Sequence, residues 1–469
     1  MTHEMDNENT ICAVATGRGG AIGVIRVSGR DAVTITDRIF RPSGSNKATL
    51  AERDAYTVTY GHIYDDNGET VDDVLVNLFR APHSYTGDDS TEISCHGSEY
   101  ILQRVLRLLI DNGCRMAEPG EFTRRALLNG KMDLSQAEAV ADLIASSTEA
   151  THRLAMNQMR GAFSRELSAL RDKLLRLTSL LELELDFSDH EELEFANRTE
   201  LDNAAGQIET VISRLVKSFS LGNAIKNGVP VAIVGETNAG KSTLLNALVG
   251  EDRAIVSDIH GTTRDVIEDT VNIAGTTFRF IDTAGIRDTS DTIERLGIDR
   301  TFKKISQAEI VLWLIDAADN TSKANELAEK IAPLCNGKQL IIVYNKADIA
   351  THTPHAVSCG MPESTRSISI SAKQGTNLDE LKQLLVNAAG IPEISSSDIV
   401  VTNLRHYEAL ARALEDIRRV RQGLADALPS DLVAQDLRDC LGHLAEITGG
   451  EITSEETLQN IFEHFCVGK

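Results

Sequence analysis

The sequence lacks the features of a membrane protein or an exported protein. None of its apolar runs approaches the roughly 18 residues that a membrane-spanning helix needs. The first residues, Met1 to Asn9, are acidic, without the apolar centre of a signal peptide or the arginine-rich pattern of a transit peptide. The seven cysteines include no C-x-x-C pair, which fits neither a disulfide framework nor a zinc site. We therefore expect a soluble cytoplasmic protein.

Basic residues are also scarce. The 47 Lys and Arg residues are outnumbered by 70 Asp and Glu residues, and the formal net charge of -23 argues against a broad nucleic-acid-binding surface. Any contact with nucleic acid must be local, and a solvated helix face explains each candidate cluster at least as well. The two clusters are Arg124, Arg125 and Lys131, and Arg405, Arg412, Arg418, Arg419 and Arg421 along a predicted helix.

Against these absences, four short motifs follow one another in a single stretch of the chain. They are Gly235-Glu-Thr-Asn-Ala-Gly240-Lys241-Ser242, Asp282-Thr-Ala-Gly285, Asn345-Lys-Ala-Asp348 and Ser371-Ala-Lys373. The first motif lies between an apolar run and a helical pattern, which predicts a strand, a glycine-rich turn and a helix start. Backbone N–H groups in such a turn point at phosphate, Lys241 adds charge, and the Ser242 hydroxyl can bind Mg²⁺.

The other motifs predict that the nucleotide is GTP. Asp348 can accept two hydrogen bonds from guanine that adenine cannot offer, while Asn345 and Ala372 support the ring. Asp282 can hold the metal through water, and Thr262 or Thr263 lies where a switch loop would close on the γ-phosphate. A single glycine-rich turn also occurs without nucleotide, but four motifs in order favour GTP binding. The expected GTP-binding residues are Asn238, Ala239, Gly240, Lys241, Ser242, Thr243, Ser257, Thr262, Thr263, Asp282, Thr283, Ala284, Gly285, Asn345, Lys346, Asp348, Ser371, Ala372 and Lys373.

Periodicity predicts a multidomain chain. Mixed strand and helix patterns at the start indicate an α+β domain, and 3.6-residue periodicity on both sides of the motif stretch indicates helices. We expect linkers at Asn223 to Pro230 and after Gly390, and a turn or loop within Asp186 to Glu194. An inserted domain needs termini that lie close together, which a GTPase unit between two helical segments satisfies. The predicted domains are 1–130 (α+β), 131–222 with 393–469 (helical, discontinuous) and 223–392 (inserted α/β P-loop GTPase).

The four motifs do not by themselves identify the residues that would promote hydrolysis. Ile286 stands where Ras-like proteins have a glutamine that orients water, so other groups must act. Glu294 can orient water or be a solvated charge, and Arg287 is a weaker candidate. Asn238 can coordinate a monovalent cation or be an incidental loop residue. Near the C-terminus, Cys466 is either an exposed reactive thiol or a small apolar residue.

Further motifs resemble one family along the whole chain, the MnmE (TrmE) family of tRNA-modification GTPases in the TrmE-Era-EngA-YihA-Septin-like superfamily. These motifs are Gly17-Arg-Gly-Gly20, Pro119-Gly-Glu-Phe-Thr123, Asn129-Gly-Lys-Met-Asp-Leu-Ser-Gln-Ala-Glu138, Gly261-Thr-Thr-Arg-Asp265, Leu444-Ala-Glu-Ile-Thr-Gly449 and the terminal Cys466-Val-Gly-Lys469. The resemblance implies a homodimer formed through an N-terminal tetrahydrofolate-binding domain. It also implies an FAD-containing partner of the MnmG (GidA) type, with which the protein adds a carboxymethylaminomethyl or aminomethyl group at C5 of the wobble uridine of certain tRNAs.

The same resemblance assigns roles to individual residues. It implies folate contacts at Arg26, Glu92 and Lys131, with a 5-formyl or methylene form as the folate. It places Mg²⁺ at Ser242 and Thr263, and it gives Cys466 a role in modification whose chemistry stays open. Glu294 matches the family's water-activating acid, and Arg287 matches a switch residue that supports hydrolysis. The implied K⁺ ligands are Asn238, Ser257, Ile259 and Thr262.

Two other functions stay open at this point. A regulatory GTPase of ribosome assembly would use the same four motifs, although this acidic chain has no obvious basic RNA-binding appendage. A nucleotide-gated scaffold without productive turnover is suggested only by Ile286, and it predicts hydrolysis that K⁺ does not stimulate.

Overall fold

The computed structural model describes residues 9–17, 19–44, 48–186, 198–236, 238–251, 269–281, 304–318, 327–329, 331–350, 365–392, 395, 398–450, 461–462, 465 and 468. Its contacts divide the chain into two compact units. The first unit comprises Met1–Ile144, Gln158–Asp172 and Leu441–Lys469, and the second comprises Ala145–Asn157 and Lys173–Cys440. The domain boundaries that we expect after residues 130, 222 and 392 stay predictions.

The first unit contains a seven-stranded sheet in the order β3-β4-β5-β6-β2-β1-β7. Strands β1 and β7 are parallel, and the other neighbours are antiparallel. Buried and more exposed residues alternate along β4 and β5, so one face of the sheet forms the core. The strands are β1 (Ile11–Val14), β2 (Ile22–Ser28), β3 (Phe40–Pro42), β4 (Thr57–Tyr64), β5 (Thr70–Phe79), β6 (Ser90–His96) and β7 (Arg115–Met116).

Helices α1 (Ala32–Ile39) and α2 (Glu99–Asp111) cover that core face. Their apolar residues pack with those of the strands, as Ile35 and Leu109 do with Ile93. The opposite face keeps large apolar side chains in solvent, with Val58 62% exposed, Tyr60 51% and Leu75 46%. We call these three residues the open patch. Helices α3 (Glu121–Leu128) and α4 (Leu134–Ala145) follow along the chain.

The second unit contains a six-stranded sheet in the order β13-β12-β11-β8-β10-β9. All neighbours are parallel except β9 and β10, which form an antiparallel pair. The central strands are buried almost throughout, as expected when helices cover both faces of a parallel sheet. The strands are β8 (Val229–Gly235), β9 (Asp269–Ile273), β10 (Thr276–Phe280), β11 (Ile310–Asp316), β12 (Gln339–Asn345) and β13 (Arg366–Ser369).

Helices complete the second unit. Helices α8 (Lys241–Glu251) and α9 (Leu378–Ala389) pack on one face of the sheet. The other helices among the described residues are α5 (Glu149–Met159), α6 (Ala162–Asp186), α7 (Arg198–Asn227), α10 (Leu404–Ala425) and α11 (Ser430–Thr448). Helices α7 and α10 pack against each other, with the rings of Phe219 and Tyr407 stacked at 4.5 Å.

The prediction of a linker at Asn223 to Pro230 is wrong. Helix α7 continues to Asn227, and Gly228, with φ of +83°, is the one residue before β8 begins. The helix continues because Ala224 and Ile225 are buried against neighbouring apolar residues. The turn predicted within Asp186 to Glu194 falls mostly outside the described residues. None of the helices in the described ranges has the length and apolar character to span a bilayer.

Candidate nucleotide-binding site

The predicted phosphate-binding loop connects the buried strand β8 to helix α8. Two of its residues must be glycine because neighbouring atoms leave no room for a Cβ. Gly235 has φ of +152°, and a Cβ there would lie 2.4 Å from the Leu314 carbonyl oxygen. Gly240 has φ of +95°, and a Cβ there would lie 2.2 Å from Nδ2 of Asn345. Only glycine satisfies both the backbone angle and the space. The loop therefore brings backbone N–H groups to the start of α8, which is the arrangement that binds phosphate.

Lys241 places a positive charge in this loop. Its Nζ donates to the carbonyl oxygens of Gly235, at 2.9 Å, and Glu236, at 2.7 Å. Burial lowers the pKa of Lys241, and the charge of Lys304 lowers it further, against a smaller opposing effect of Glu236. A phosphate anion beside this ammonium would favour its charged form. Ser242 is half-buried in the first turn of α8, Ala239 is buried, and Thr243 is exposed.

Asn345 connects the phosphate loop to the base-binding motifs. Its Nδ2 donates to the Ala239 carbonyl at 2.8 Å, and its Oδ1 accepts from the Ala372 N–H at 3.0 Å. The side chain lies at the end of β12 and is buried. Three of the four motifs thus meet at one amide, which makes Asn345 a positioning residue for the whole site.

The remaining described residues of the predicted base-binding site follow β12 and β13 along the chain. Lys346 has φ of +65°, and its Nζ pairs with Oδ2 of Asp316 at 2.5 Å. Asp348 is exposed, with one long hydrogen bond of 3.4 Å from Nε2 of Gln374, so its carboxylate is accessible to a base. Ser371 is buried and Lys373 is exposed. Sequence reasoning missed Asp316, whose only signal was its position at the end of a strand.

Asn238 is the described candidate for a monovalent cation ligand. It is exposed and has φ of +70°, a conformation that asparagine tolerates better than most residues. The other switch and tail residues lie outside the described residues. These are Ser257, Ile259, Thr262, Thr263, Asp282, Thr283, Ala284, Gly285, Arg287, Glu294 and Cys466.

The structure pairs two of the expected folate residues in the first unit. Arg26 on β2 is directly opposite Glu92 on β6. Nε and Nη2 of Arg26 both donate to Oε1 of Glu92, at 3.0 and 2.9 Å. The strand register continues from this pair through Asn77 to Val58, so the pair lies on the same sheet face as the open patch. The Arg26 guanidinium also lies 5.1 Å from the ring centre of Tyr85 and 5.6 Å from that of Phe122.

Lys131 is exposed and does not contact that pair. Its Nζ donates to the Pro82 carbonyl at 2.8 Å. Pro82 and Tyr85 belong to the same connection between β5 and β6, so both parts of the expected folate site border one loop. Tyr85 and Phe122 were missed as site residues. Phe122 lies within the Pro119 to Thr123 motif, which was a usable signal.

The contacts of the two arginine clusters favour the interpretation that these clusters are solvated helix faces over the interpretation that they contact nucleic acid. On α10, Arg418 pairs with Glu209, and Arg421 pairs with Asp202 and Glu209 of α7. Arg419 pairs with Asp416 and Asp436. In the other cluster, Arg125 is buried beside Glu121 and Arg124 pairs with Glu118. Intramolecular carboxylates therefore neutralise most of these cations.

The described part of the C-terminal tail packs within the first unit. Phe462 is buried with Leu134 and Ala137, and its ring lies 4.9 Å from that of Phe465. A Cβ at Gly120 would come within 2.9 Å of Phe465, and one at Gly468 within 2.3 Å of the Val14 carbonyl oxygen. The described tail residues Phe462, Phe465 and Gly468 are therefore closely packed.

Comparisons with known proteins agree with this layout. Residues 10–131 match the family model described as GTP-binding protein TrmE N-terminus, and residues 134–466 match the MnmE helical domain. The chain is 63% identical to tRNA modification GTPase MnmE of Bacteroides thetaiotaomicron over 468 residues, covering 99% of this chain and 100% of that protein. The protein of the same name from Flavobacterium johnsoniae is 50% identical over 471 residues, again covering 99% of this chain and 100% of the relative.

A solved structure of Era from Aquifex aeolicus bound to GDP and aluminium fluoride is 30% identical, with a TM-score of 0.27, and the match covers 40% of this chain and 66% of that one. The two family models give the chain a TrmE-type N-terminal domain and a helical domain, which confirms the multidomain prediction. Because the helical model spans residues 134–466 and the relatives match from end to end, the chain belongs to the MnmE (TrmE) family of tRNA-modification GTPases.

Proposed function

We propose that this protein hydrolyses GTP and acts in tRNA modification. The observation that carries the proposal is Asn345, whose amide joins the phosphate loop and the base-binding loop into one site, in a chain whose relatives are named tRNA modification GTPases. The exposed Asp348 carboxylate is available to accept the two hydrogen bonds that guanine offers.

The described residues suit a nucleotide with Mg²⁺ and a monovalent cation. Lys241 and the backbone of the loop hold the phosphates, and the Ser242 hydroxyl, with Thr263, is the proposed Mg²⁺ ligand. Bound Mg²⁺ supplies positive charge at the phosphates. Asn238, with Ser257, Ile259 and Thr262, is the proposed K⁺ site, and its support is the exposed, left-handed position of Asn238 in the loop. Glu294 is the proposed residue that orients water, and Arg287 the switch residue that supports it.

The K⁺ site is tested by turnover measurements in KCl and in NaCl. Wild type should be faster in KCl, and Asn238→Ala should lose most of that difference. The matched control is Asn246→Ala, which changes an exposed asparagine of α8 in the same region. This variant should retain the difference in rate between KCl and NaCl. Equal rates in both salts would contradict K⁺ activation. If turnover is also slow and Glu294→Ala leaves it unchanged, the result would favour a nucleotide-gated scaffold without productive turnover.

The proposed N-terminal ligand is a tetrahydrofolate derivative at Arg26, Glu92 and Lys131. Both hydrogen bonds of the Arg26–Glu92 pair use one carboxylate oxygen, and the described residues provide no further hydrogen bond to Oε2 of Glu92 or Nη1 of Arg26. An acceptor on Glu92 and a donor on Arg26 are thus both left for a ligand, which suits a cyclic amide such as the pteridine ring, whose edge carries both kinds of group. Titration with 5-formyltetrahydrofolate tests this site, and Glu92→Gln should weaken binding.

The proposed tRNA role requires an FAD-containing partner of the MnmG type and modification at C5 of the wobble uridine. Nucleoside mass spectrometry of tRNA from cells lacking the gene tests it, with complementation by wild type and by Cys466→Ser. Loss of C5-aminomethyl-type uridines that wild type restores would support the role, and failure of the Cys466 variant would place that thiol within it. An unchanged profile would contradict it and favour the ribosome-assembly GTPase.

We also propose that the homodimer forms through the open patch. Large exposed apolar side chains on one sheet face are typical of an interaction surface, and a second copy would cover the patch symmetrically. Tyr60→Glu should give a monomer in analytical ultracentrifugation. The matched control is Tyr100→Glu on α2, where the side chain is 73% exposed but lies outside the patch. A Tyr60→Glu dimer would contradict the proposal.

A further inference from the structure

Two aromatic rings lie next to the Arg26 guanidinium. The carbon Cζ lies 5.1 Å from the ring centre of Tyr85 and 5.6 Å from that of Phe122. Both distances are within the range of a cation–π interaction. Aromatic residues make up only 4% of the chain, so two of them beside one arginine are a marked local concentration.

The surrounding structure holds both rings. Phe122 is fully buried and packs with Ile11, Ala13 and Ala117. The Tyr85 hydroxyl is 2.8 Å from Oγ1 of Thr123, which is also fully buried. Burial raises the pKa of Tyr85, so its phenol stays neutral and keeps this hydrogen bond. The two rings are therefore anchored in α3 and in the loop before β6.

We infer that Tyr85 and Phe122 are positioning residues, which fix the plane of the Arg26 guanidinium for its ligand. Glu92 fixes the direction of the guanidinium through two hydrogen bonds to one oxygen, but such bonds to a single oxygen leave the plane free to tilt. The rings remove that freedom. A flexible arginine ordered before binding loses less entropy when the ligand arrives, which raises affinity. The link to affinity rests on the proposed folate site.

The test measures order and affinity separately in the full-length protein. In the free protein, ¹⁵N relaxation of the Arg26 Nε–H should report a rigid side chain in wild type and a mobile one in Tyr85→Leu and Phe122→Leu. Calorimetric titration with 5-formyltetrahydrofolate should then show about three- to thirtyfold weaker binding in each variant. Tyr85→Phe keeps the ring and should retain most of the affinity. Tyr100→Leu, an exposed tyrosine of the same unit, is the matched control and should change nothing.

A double-mutant comparison separates positioning from general damage. Arg26→Lys should weaken folate binding strongly in wild type but add little in the Phe122→Leu background, because both changes remove the same oriented guanidinium. Additive losses, or an Arg26 that stays rigid in both leucine variants, would overturn the inference. If wild type binds no folate, the proposed ligand fails, while the relaxation data still decide whether the rings order Arg26.

Discussion

At the residue scale, Asn345 sets the geometry of the nucleotide site. Its amide occupies the space beside Gly240, while it holds the Ala239 carbonyl and the Ala372 N–H at the same time. Both backbone groups are in a buried region, where a lost partner is costly. A change on either side of this contact should therefore affect both phosphate and base binding.

Two glycines of the same segment test this contact. Gly240→Ala puts a Cβ 2.2 Å from Nδ2 of Asn345 at φ of +95°, so we expect GDP binding about tenfold weaker or worse and a loss of about 1–3 kcal/mol in the free energy of unfolding. Gly250→Ala, at an exposed helical position of α8 with nothing within 4 Å, should instead gain up to about 1 kcal/mol. Denaturant unfolding measures the stability of each variant, and titration measures its affinity for GDP. Equal behaviour of the two variants would refute the steric argument.

At the scale of elements, one buried carboxylate attaches α3 to the sheet. Glu121 begins α3 and accepts hydrogen bonds from Arg115 at 2.7 and 2.8 Å, from the Glu118 N–H at 2.9 Å and from Arg125 at 3.1 Å. Burial alone would raise the pKa of Glu121, but these hydrogen bonds and charges together lower it below its ordinary value. The helix that carries Phe122 is thus held by an ionised group.

This attachment predicts a pH dependence of stability. Because the folded-state pKa of Glu121 is lowered, its contribution to stability is complete above the ordinary glutamate pKa of about 4.3 and is lost as the pH falls through the folded pKa. Glu121→Gln should therefore be less stable than wild type at pH 7, and the difference should shrink in acid. Urea unfolding of both proteins between pH 7 and pH 3 measures it. A difference that grows as the pH falls would contradict the prediction.

Helix α7 offers a second test, because two of its glycines have opposite surroundings. A Cβ at Gly222 would lie 2.0 Å from the Val401 carbonyl oxygen, whereas one at Gly206 would lie 3.5 Å from Arg421. Gly222→Ala should cost about 1–3 kcal/mol through overpacking, and Gly206→Ala should gain about 0.5–1 kcal/mol from helix propensity. Thermal unfolding of the two variants compares them directly. A stable Gly222→Ala protein would mean that the segment at Val401 shifts freely.

At the scale of the whole molecule, two compact units imply that unfolding need not be a single transition. The chain has one tryptophan, Trp313, which is buried in β11 of the second unit. Its fluorescence therefore reports on the unit that holds the nucleotide site. Circular dichroism reports on both units, so the two signals together separate them.

Ligands should stabilise the units independently. GDP with Mg²⁺ at a free concentration 100 times its Kd should stabilise the second unit by about 2.7 kcal/mol and move the Trp313 transition. A tetrahydrofolate should move the transition seen only by circular dichroism. Denaturation with each ligand alone measures both shifts. A Trp313 transition that responds to the folate and not to GDP would contradict this assignment.

The sequence by itself determined the features that are written in contiguous residues. The glycine-rich turn between β8 and α8 and the helical character of both flanks follow from local backbone angles and local periodicity. These properties depend on neighbours a few positions apart, which is the range that a pattern can record.

Only the tertiary structure decided which distant residues meet. Asn345 contacts Ala239 across 106 positions, and Arg26 contacts Glu92 across 66. The sequence left the basic residues of α10 open between a nucleic-acid contact and a solvated helix face, and the structure pairs Arg421 with Asp202, 219 positions away. The charge of a side chain is a property of its residue type, but its neutralisation depends on where the folded chain brings a carboxylate, and no local pattern encodes that path.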